Sequence, residues 1–103
     1  PCVCTDFASG GREILAPETD IDIRQKDCIE YARYGIITPV CDGKWRDGSE
    51  PLTKEEELLA DAIIELVTNE ELQKAYREKI EGYADSFSIE NCAREWKKVL
   101  EAL

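Results

Sequence analysis

Methionine and histidine are both missing from this 103-residue chain. Without an initiator residue, the chain is expected to be a segment of a longer protein, processed or cut. Without histidine, a cysteine nucleophile would lack its usual base. Cations are also in short supply, at 13 Lys and Arg against 23 Asp and Glu, for a net charge of −10. That balance disfavours nucleic acid, whose phosphates call for clustered Lys and Arg, and anionic membrane surfaces. It leaves room only for a local basic patch. No apolar run approaches the roughly 20 residues that span a bilayer, and no charged-then-apolar leader precedes a cleavage site. No integral membrane segment is expected.

What is present describes a small folded unit. Apolar content is 43%, with two Trp, four Tyr and two Phe, which argues against disorder. The five cysteines, Cys2, Cys4, Cys28, Cys41 and Cys92, are odd in number and scattered. They read as reduced, buried or half-buried thiols of a cytoplasmic protein. Cys2 and Cys4 share one strand face, but a structural zinc site wants four ligands. No metal is expected.

The first half, residues 1–51, has strand and loop character. Pro1 to Thr5 reads as a short strand that empties into a glycine-bearing loop. Arg12 to Ala16 starts a helix or a second short strand. Pro17 to Arg33 is irregular, with one helical turn expected around Asp27 to Ala32. Tyr34 to Val40 is the clearest strand, opened by Gly35 and closed by Pro39. Asp42 to Pro51 is a surface loop.

Residues 52–103 read as three amphipathic helices. Thr53 and Glu56 have capping-box spacing, ahead of a stripe of Leu58, Leu59, Ala62, Ile63, Leu66 and Val67. Asn69 caps a second helix whose first turn carries Glu70 and Glu71, suited to the helix dipole. Its apolar side is Leu72, Ala75, Tyr76, Ile80 and Tyr83. Ser88 caps a third, with Ile89, Cys92, Ala93, Trp96, Val99, Leu100 and Leu103 on one face. Trp96 is therefore expected in the core. The fold class is α/β: an incomplete Rossmann-like half domain, with short parallel strands first and three helices last. The missing strands are expected before Pro1.

Three passages in order resemble the C-terminal domain of group 1 retaining glycosyltransferases of the GT-B fold. PCVCTDFASGGREIL, from Pro1 to Leu15, is similar to the family's strand, Gly-rich turn and Glu-aliphatic-aliphatic sequence. EYARYGIITPVCD, from Glu30 to Asp42, is similar to its Gly-hydrophobic-hydrophobic-x-Pro-x-x-Asp strand end. The passage from Leu58 to Leu103 resembles its Ala-rich helix, its Asn/Asp-x-x-Leu helix and its closing Phe-Ser-Ile-Glu helix. The loop Gly43 to Leu52 is longer than the pattern expects. The family's pair of glutamates seven residues apart would lie just before Pro1, outside this chain.

The resemblance implies the C-terminal portion of a donor-binding domain. The parent would move a sugar from a nucleotide-diphosphate sugar to a hydroxyl on a saccharide or lipid-linked acceptor, with retention. The acceptor would bind mainly on an absent N-terminal domain, through which the enzyme would sit at the inner membrane face. No further cofactor is implied, and the isolated segment should be inactive. Thr5, Asp6, Ser9, Gly10, Gly11 and Glu13 become the expected donor-cleft loop, since ligands of open α/β sheets bind beyond strand carboxyl ends. By pattern alone the glycines could equally make a tight turn, and Asp6 could serve as an acceptor for loop amides. Asp20-Ile21-Asp22 is metal-like in spacing, but sits in a polar loop and reads as solvated. Trp45, between Lys44 and Arg46, would stack on a sugar or, more simply, dock on its own domain. A different class also fits the residues: an acidic helical module that binds a partner protein without catalysis.

Overall fold

The computed structural model describes all residues from Pro1 to Leu103. Strand β1 (Val3–Thr5) pairs in parallel with β3 (Ile36–Thr38), in the register Val3 to Ile36 and Thr5 to Thr38. Strand β2 (Glu30–Tyr31) pairs antiparallel to the other edge of β3, giving the order β1-β3-β2. The sheet is thus mixed rather than wholly parallel. Residues expected to form a helical turn, Asp27 to Ala32, instead supply β2. Two strand residues and a tight return through Ala32 to Gly35 have no readable period, but Glu30 and Tyr31 find backbone partners in Ile37 and Ile36.

Strand side chains alternate between faces, and both faces of β3 are covered. Ile37 packs on one side with Leu15, Ala16 and Ala32, while Ile36 packs on the other with Ala62, Leu66 and Tyr76. Both isoleucines are essentially inaccessible, and burying such a side chain stabilises by about 1.5–3 kcal/mol. Helix α1 (Gly11–Leu15) supplies the first face; α2 (Lys54–Thr68) and α3 (Glu70–Ile80) supply the second.

The helix starts fall where their side chains can satisfy free backbone amides. Thr53 Oγ1 accepts from the Glu56 amide and Glu56 Oε2 from the Thr53 amide, completing the capping box. Asn69 closes α2 and caps α3 by accepting from the Leu72 amide. Ser88 likewise caps the last helix, α4 (Ile89–Glu101), through the Asn91 amide. The Tyr76 hydroxyl donates toward the Ala32 and Gly35 carbonyls, 3.1 and 3.3 Å away, and so pins α3 to the β2–β3 turn. Tyr31, on β2, donates to the Glu65 carboxylate of α2; that bond, with burial, pushes its hydroxyl pKa up to about 12. Tyr83 stacks on Tyr34 with ring centroids 3.6 Å apart and donates to the Ile14 carbonyl, closing the α1 face.

Three side-chain expectations are corrected. Helix α4 buries none of its residues, and Trp96 is 64% exposed rather than in the core, because no neighbouring element covers its stripe. Trp45 does not dock on the domain; it is 88% exposed. Among the thiols only Cys4 and Cys41 are half-buried, whereas Cys2, Cys28 and Cys92 are exposed.

Gly35 sits where β3 passes closest to the chain entering β1. A Cβ there would lie 2.9 Å from the Cys2 carbonyl oxygen and 3.0 Å from Leu15 Cδ2. Gly35→Ala should therefore cost about 2 kcal/mol, in the range of overpacked cores. Gly48→Ala, with nothing within 4 Å of its added carbon, should stay within about 0.5 kcal/mol of the parent. Urea unfolding followed by circular dichroism checks both, and equal midpoints for the two variants would refute the close-approach reading.

Candidate active-site cleft

At the carboxyl end of β1 the chain turns at once. The Asp6 amide donates to the Thr38 carbonyl (2.8 Å) and the Phe7 amide to the Thr5 carbonyl (2.8 Å). Gly10 then takes a φ of +89°, a conformation that side chains disfavour, and α1 begins. Gly11 is fixed by contact instead: an added Cβ would meet the Phe7 ring and Cys4 Sγ at 3.0–3.1 Å.

The next residue, Arg12, is 3% exposed, and all five of its N–H groups are engaged. Nε and Nη2 donate to Asp6, the latter at 2.7 Å to Oδ2. Nη2 and Nη1 also donate to Glu30 at 2.9 and 3.1 Å, and Nη1 to Thr19 Oγ1 at 3.1 Å. Asp6 Oδ2 accepts the Gln25 amide as well, and the Gln25 side chain donates to Glu30 at 3.1 Å. Burial alone would push the Asp6 carboxyl up. The Arg12 hydrogen bond, the Gln25 amide and the nearby guanidinium charge outweigh it and hold it below the usual carboxylate range. The Arg12 pKa is raised, first by its bond to Asp6 and then by that to Glu30.

This network holds residues 24–26 against the end of β1. An open cleft of about 580 Å³ results, lined by residues 6–8, 24–26 and 39–40 and by Glu55. It lies beyond the carboxyl ends of the parallel pair, where open α/β sheets bind ligands. Two cations line it. The Arg24 guanidinium donates to the carbonyls of Ile21 (2.6 Å), Ile23 (2.7 Å) and Ala8 (3.1 Å), which fix its position, and its charge helps hold the Asp6 carboxyl low. No carboxylate lies within ion-pair distance of Arg24 or Lys26. In a chain of net charge −10, these two cations offset the carboxylates that also line the cleft, Glu55 and the Arg12-bound Asp6.

The six residues expected to form the donor loop are not brought together in one site. Asp6 lies in the wall of the charged cleft, with its carboxylate engaged by Arg12 and Gln25. Thr5 ends β1, opposite Thr38. Ser9, Gly10 and Gly11 line a second, apolar hollow of about 320 Å³ with Cys4, Phe7 and Ile14. Glu13 is exposed on α1. Asp20 accepts the Asp22 amide at 2.9 Å in an exposed turn, and no three acidic or cysteine side chains converge as a metal site would need. Arg24, Gln25 and Lys26 escaped the reading of the sequence. Their signal was an Arg-Gln-Lys run in a chain short of cations, but only the Arg12 network shows where it goes.

Removing one partner of a buried ion pair leaves the other uncompensated. Asp6→Asn should thus lower stability by about 3 kcal/mol. The parent's Asp6 pKa is depressed on folding, so its stabilisation is complete above the unfolded value near ~3.9 and is lost as pH falls through the folded value. Unfolding free energies between pH 2 and 7 should show a shallower acid limb in the variant. An unchanged limb would contradict the assignment.

No family profile matches the chain, and neither does any solved structure. Across 104 aligned residues it is 39% identical to a protein of Methanocaldococcus jannaschii described as an uncharacterized glycosyltransferase. The alignment takes in 98% of this chain and 25% of that relative, so the chain spans about a quarter of its length. The likeness thus runs through both the cleft and the helices.

Proposed function

We propose that the chain is the C-terminal portion of the donor-binding domain of a GT-B, group 1 retaining glycosyltransferase. The parent moves a sugar from a nucleotide-diphosphate donor to a hydroxyl of a saccharide or lipid-linked acceptor. In that step the bond from the anomeric carbon to the diphosphate oxygen breaks, and a bond from the same carbon to the acceptor oxygen forms. The acceptor proton leaves to a base outside these residues. The observation that carries the reading is the pair of unpaired cations, Arg24 and Lys26, in a cleft beyond the parallel strand ends. Fixed positive charge there stabilises the departing diphosphate without reorganising at the moment of reaction. Asp6 and Arg12 act as positioning residues that hold the cation-bearing segment in place. The rest of the proposed donor side is Thr5 at the end of β1, Ser9, Gly10 and Gly11 in the turn that follows, and Glu13 on α1.

The three exposed thiols fit a reducing compartment, and we place the enzyme in the cytoplasm, reaching the inner membrane face through its N-terminal domain. No helix is long and apolar enough to cross a membrane. A second reading, a helical interaction module, is favoured by one observation: the apolar stripe of α4 lies open. Two glutamates seven residues apart in the frame before Pro1 favour the enzyme; an initiator there favours the module.

The parent enzyme should release nucleoside diphosphate from a panel containing uridine- and guanosine-diphosphate hexoses. Lys26→Ala should raise the donor KM about tenfold, as loss of a charge-assisted contact predicts, and Lys26→Arg should recover most of it. Residues 1–103 alone should show no turnover. Sugar transfer by the isolated segment, or a donor KM indifferent to Lys26, would count against the proposal.

A further inference from the structure

We propose that the open face of α4 is an intramolecular docking face, covered in the parent protein by a part of the same polypeptide outside these residues. Ile89, Cys92, Trp96, Val99, Leu100 and Leu103 lie on one side of the helix, and each is exposed. Their spacing follows the a, d and e positions of a heptad. That is the broad stripe of a helix packed on a globular core, wider than a two-helix seam. A shallow groove of about 320 Å³ runs along it, lined by Cys92, Glu95, Trp96 and Val99. Monomeric proteins rarely leave so continuous an apolar face to water.

The face is held in place by the corner that precedes it. Gly82 turns the chain out of α3 with a φ of +82°. The Asp85 amide then donates to the Gly82 carbonyl (3.2 Å) and Ser86 Oγ to the Tyr83 carbonyl (2.6 Å). Asn91 Nδ2 donates to the Asp85 carbonyl at 2.7 Å, tying the first turn of α4 to that corner. None of α4 is buried, and the molecule is drawn out to 57 Å. Its radius of gyration is 16.8 Å, against about 13 Å for a compact domain of about 100 residues.

Charge and size indicate what covers the face. On the rest of α4, Arg94, Lys97 and Lys98 are balanced by Glu90, Glu95 and Glu101. Lys97 pairs with Glu101 and Lys98 with Glu95. A helix without cationic excess lacks the attraction that seats amphipathic helices on anionic bilayers. Its 13 residues make a helix about 20 Å long. Such a strip falls short of the roughly 800 Å² per partner of a stable complex between separate molecules. A tethered partner needs less area, because linkage spares the loss of translational freedom. The chain spans about a quarter of its relative, so the parent has ample polypeptide outside these residues to cover the face.

The test is the reactivity of the native Cys92 thiol in the purified parent, read with N-ethylmaleimide and peptide mass spectrometry. A cysteine introduced by Lys98→Cys, on the opposite side of α4, is the reference. Cys92 should be alkylated about tenfold more slowly than the reference, since a covered thiol reacts only on local opening. The protection should not depend on protein concentration, and Trp96→Asp should raise the Cys92 rate to that of the reference. Cys92 as reactive as the reference, as on a face kept free for another protein, overturns the inference. Protection lost on dilution places a second copy there, and protection gained only with phosphatidylglycerol vesicles places a bilayer there; either overturns it too. The readout is thiol alkylation and not turnover, so each of these outcomes leaves the glycosyltransferase reading standing.

Discussion

The guanidinium of Arg12, shared between Asp6 and Glu30, is the interaction on which the rest of the structure depends. It joins the turn after β1 and the start of α1 to the edge strand β2, 18 positions on from Arg12. Through Thr19 and Gln25 it also gathers the long connection between α1 and β2. A buried pair of this kind adds little net stability over a well-packed apolar replacement, because desolvation offsets the attraction. What it adds is geometry. Arg12 and its partner Asp6 tie the connection of residues 17–29 at Thr19 and Gln25, and the second tie brings Arg24 and Lys26 to the strand ends.

The sheet sets where that seat leads. With Ile36 and Ile37 buried on opposite faces, helices cover both sides of β3, and open space remains only at the edges and ends. Loops leaving the carboxyl ends of β1 and β3 diverge around the cleft. The acidic excess is carried largely by exposed helix positions, such as Glu57, Glu70 and Glu71. In the cleft, by contrast, Arg24 and Lys26 stand against Glu55 and the Arg12-bound Asp6, so the wall does not share the overall acidic excess.

How much of this was legible follows from how local each signal is. The caps at Thr53, Asn69 and Ser88 rest on contacts three residues apart, and all three formed as the sequence indicated. The β3 strand and the 42–51 loop were legible for similar reasons, since Gly and Pro mark their ends. Strand β2 was not, because two residues carry no periodicity and only pairing with Ile36 and Ile37 makes them a strand. The stripe of α4 was legible as a pattern, but burial depends on a neighbour, and these residues provide none. For the cleft, the expected donor loop follows β1, and of its six residues Asp6 lines the cleft. The cations lay in the segment taken for solvated loop, tied to Asp6 across 19 positions by the Gln25 amide.

The central claim is that the cleft between residues 6–8, 24–26 and 39–40 holds the diphosphate of a nucleotide sugar. The most direct measurement is a crystal structure of the parent protein soaked with uridine or guanosine diphosphate. The account predicts phosphate oxygens within hydrogen-bonding distance of Arg24 or Lys26, with the Asp6–Arg12–Glu30 network intact behind them. A bound diphosphate seated elsewhere, with both cations free in solvent, would contradict it.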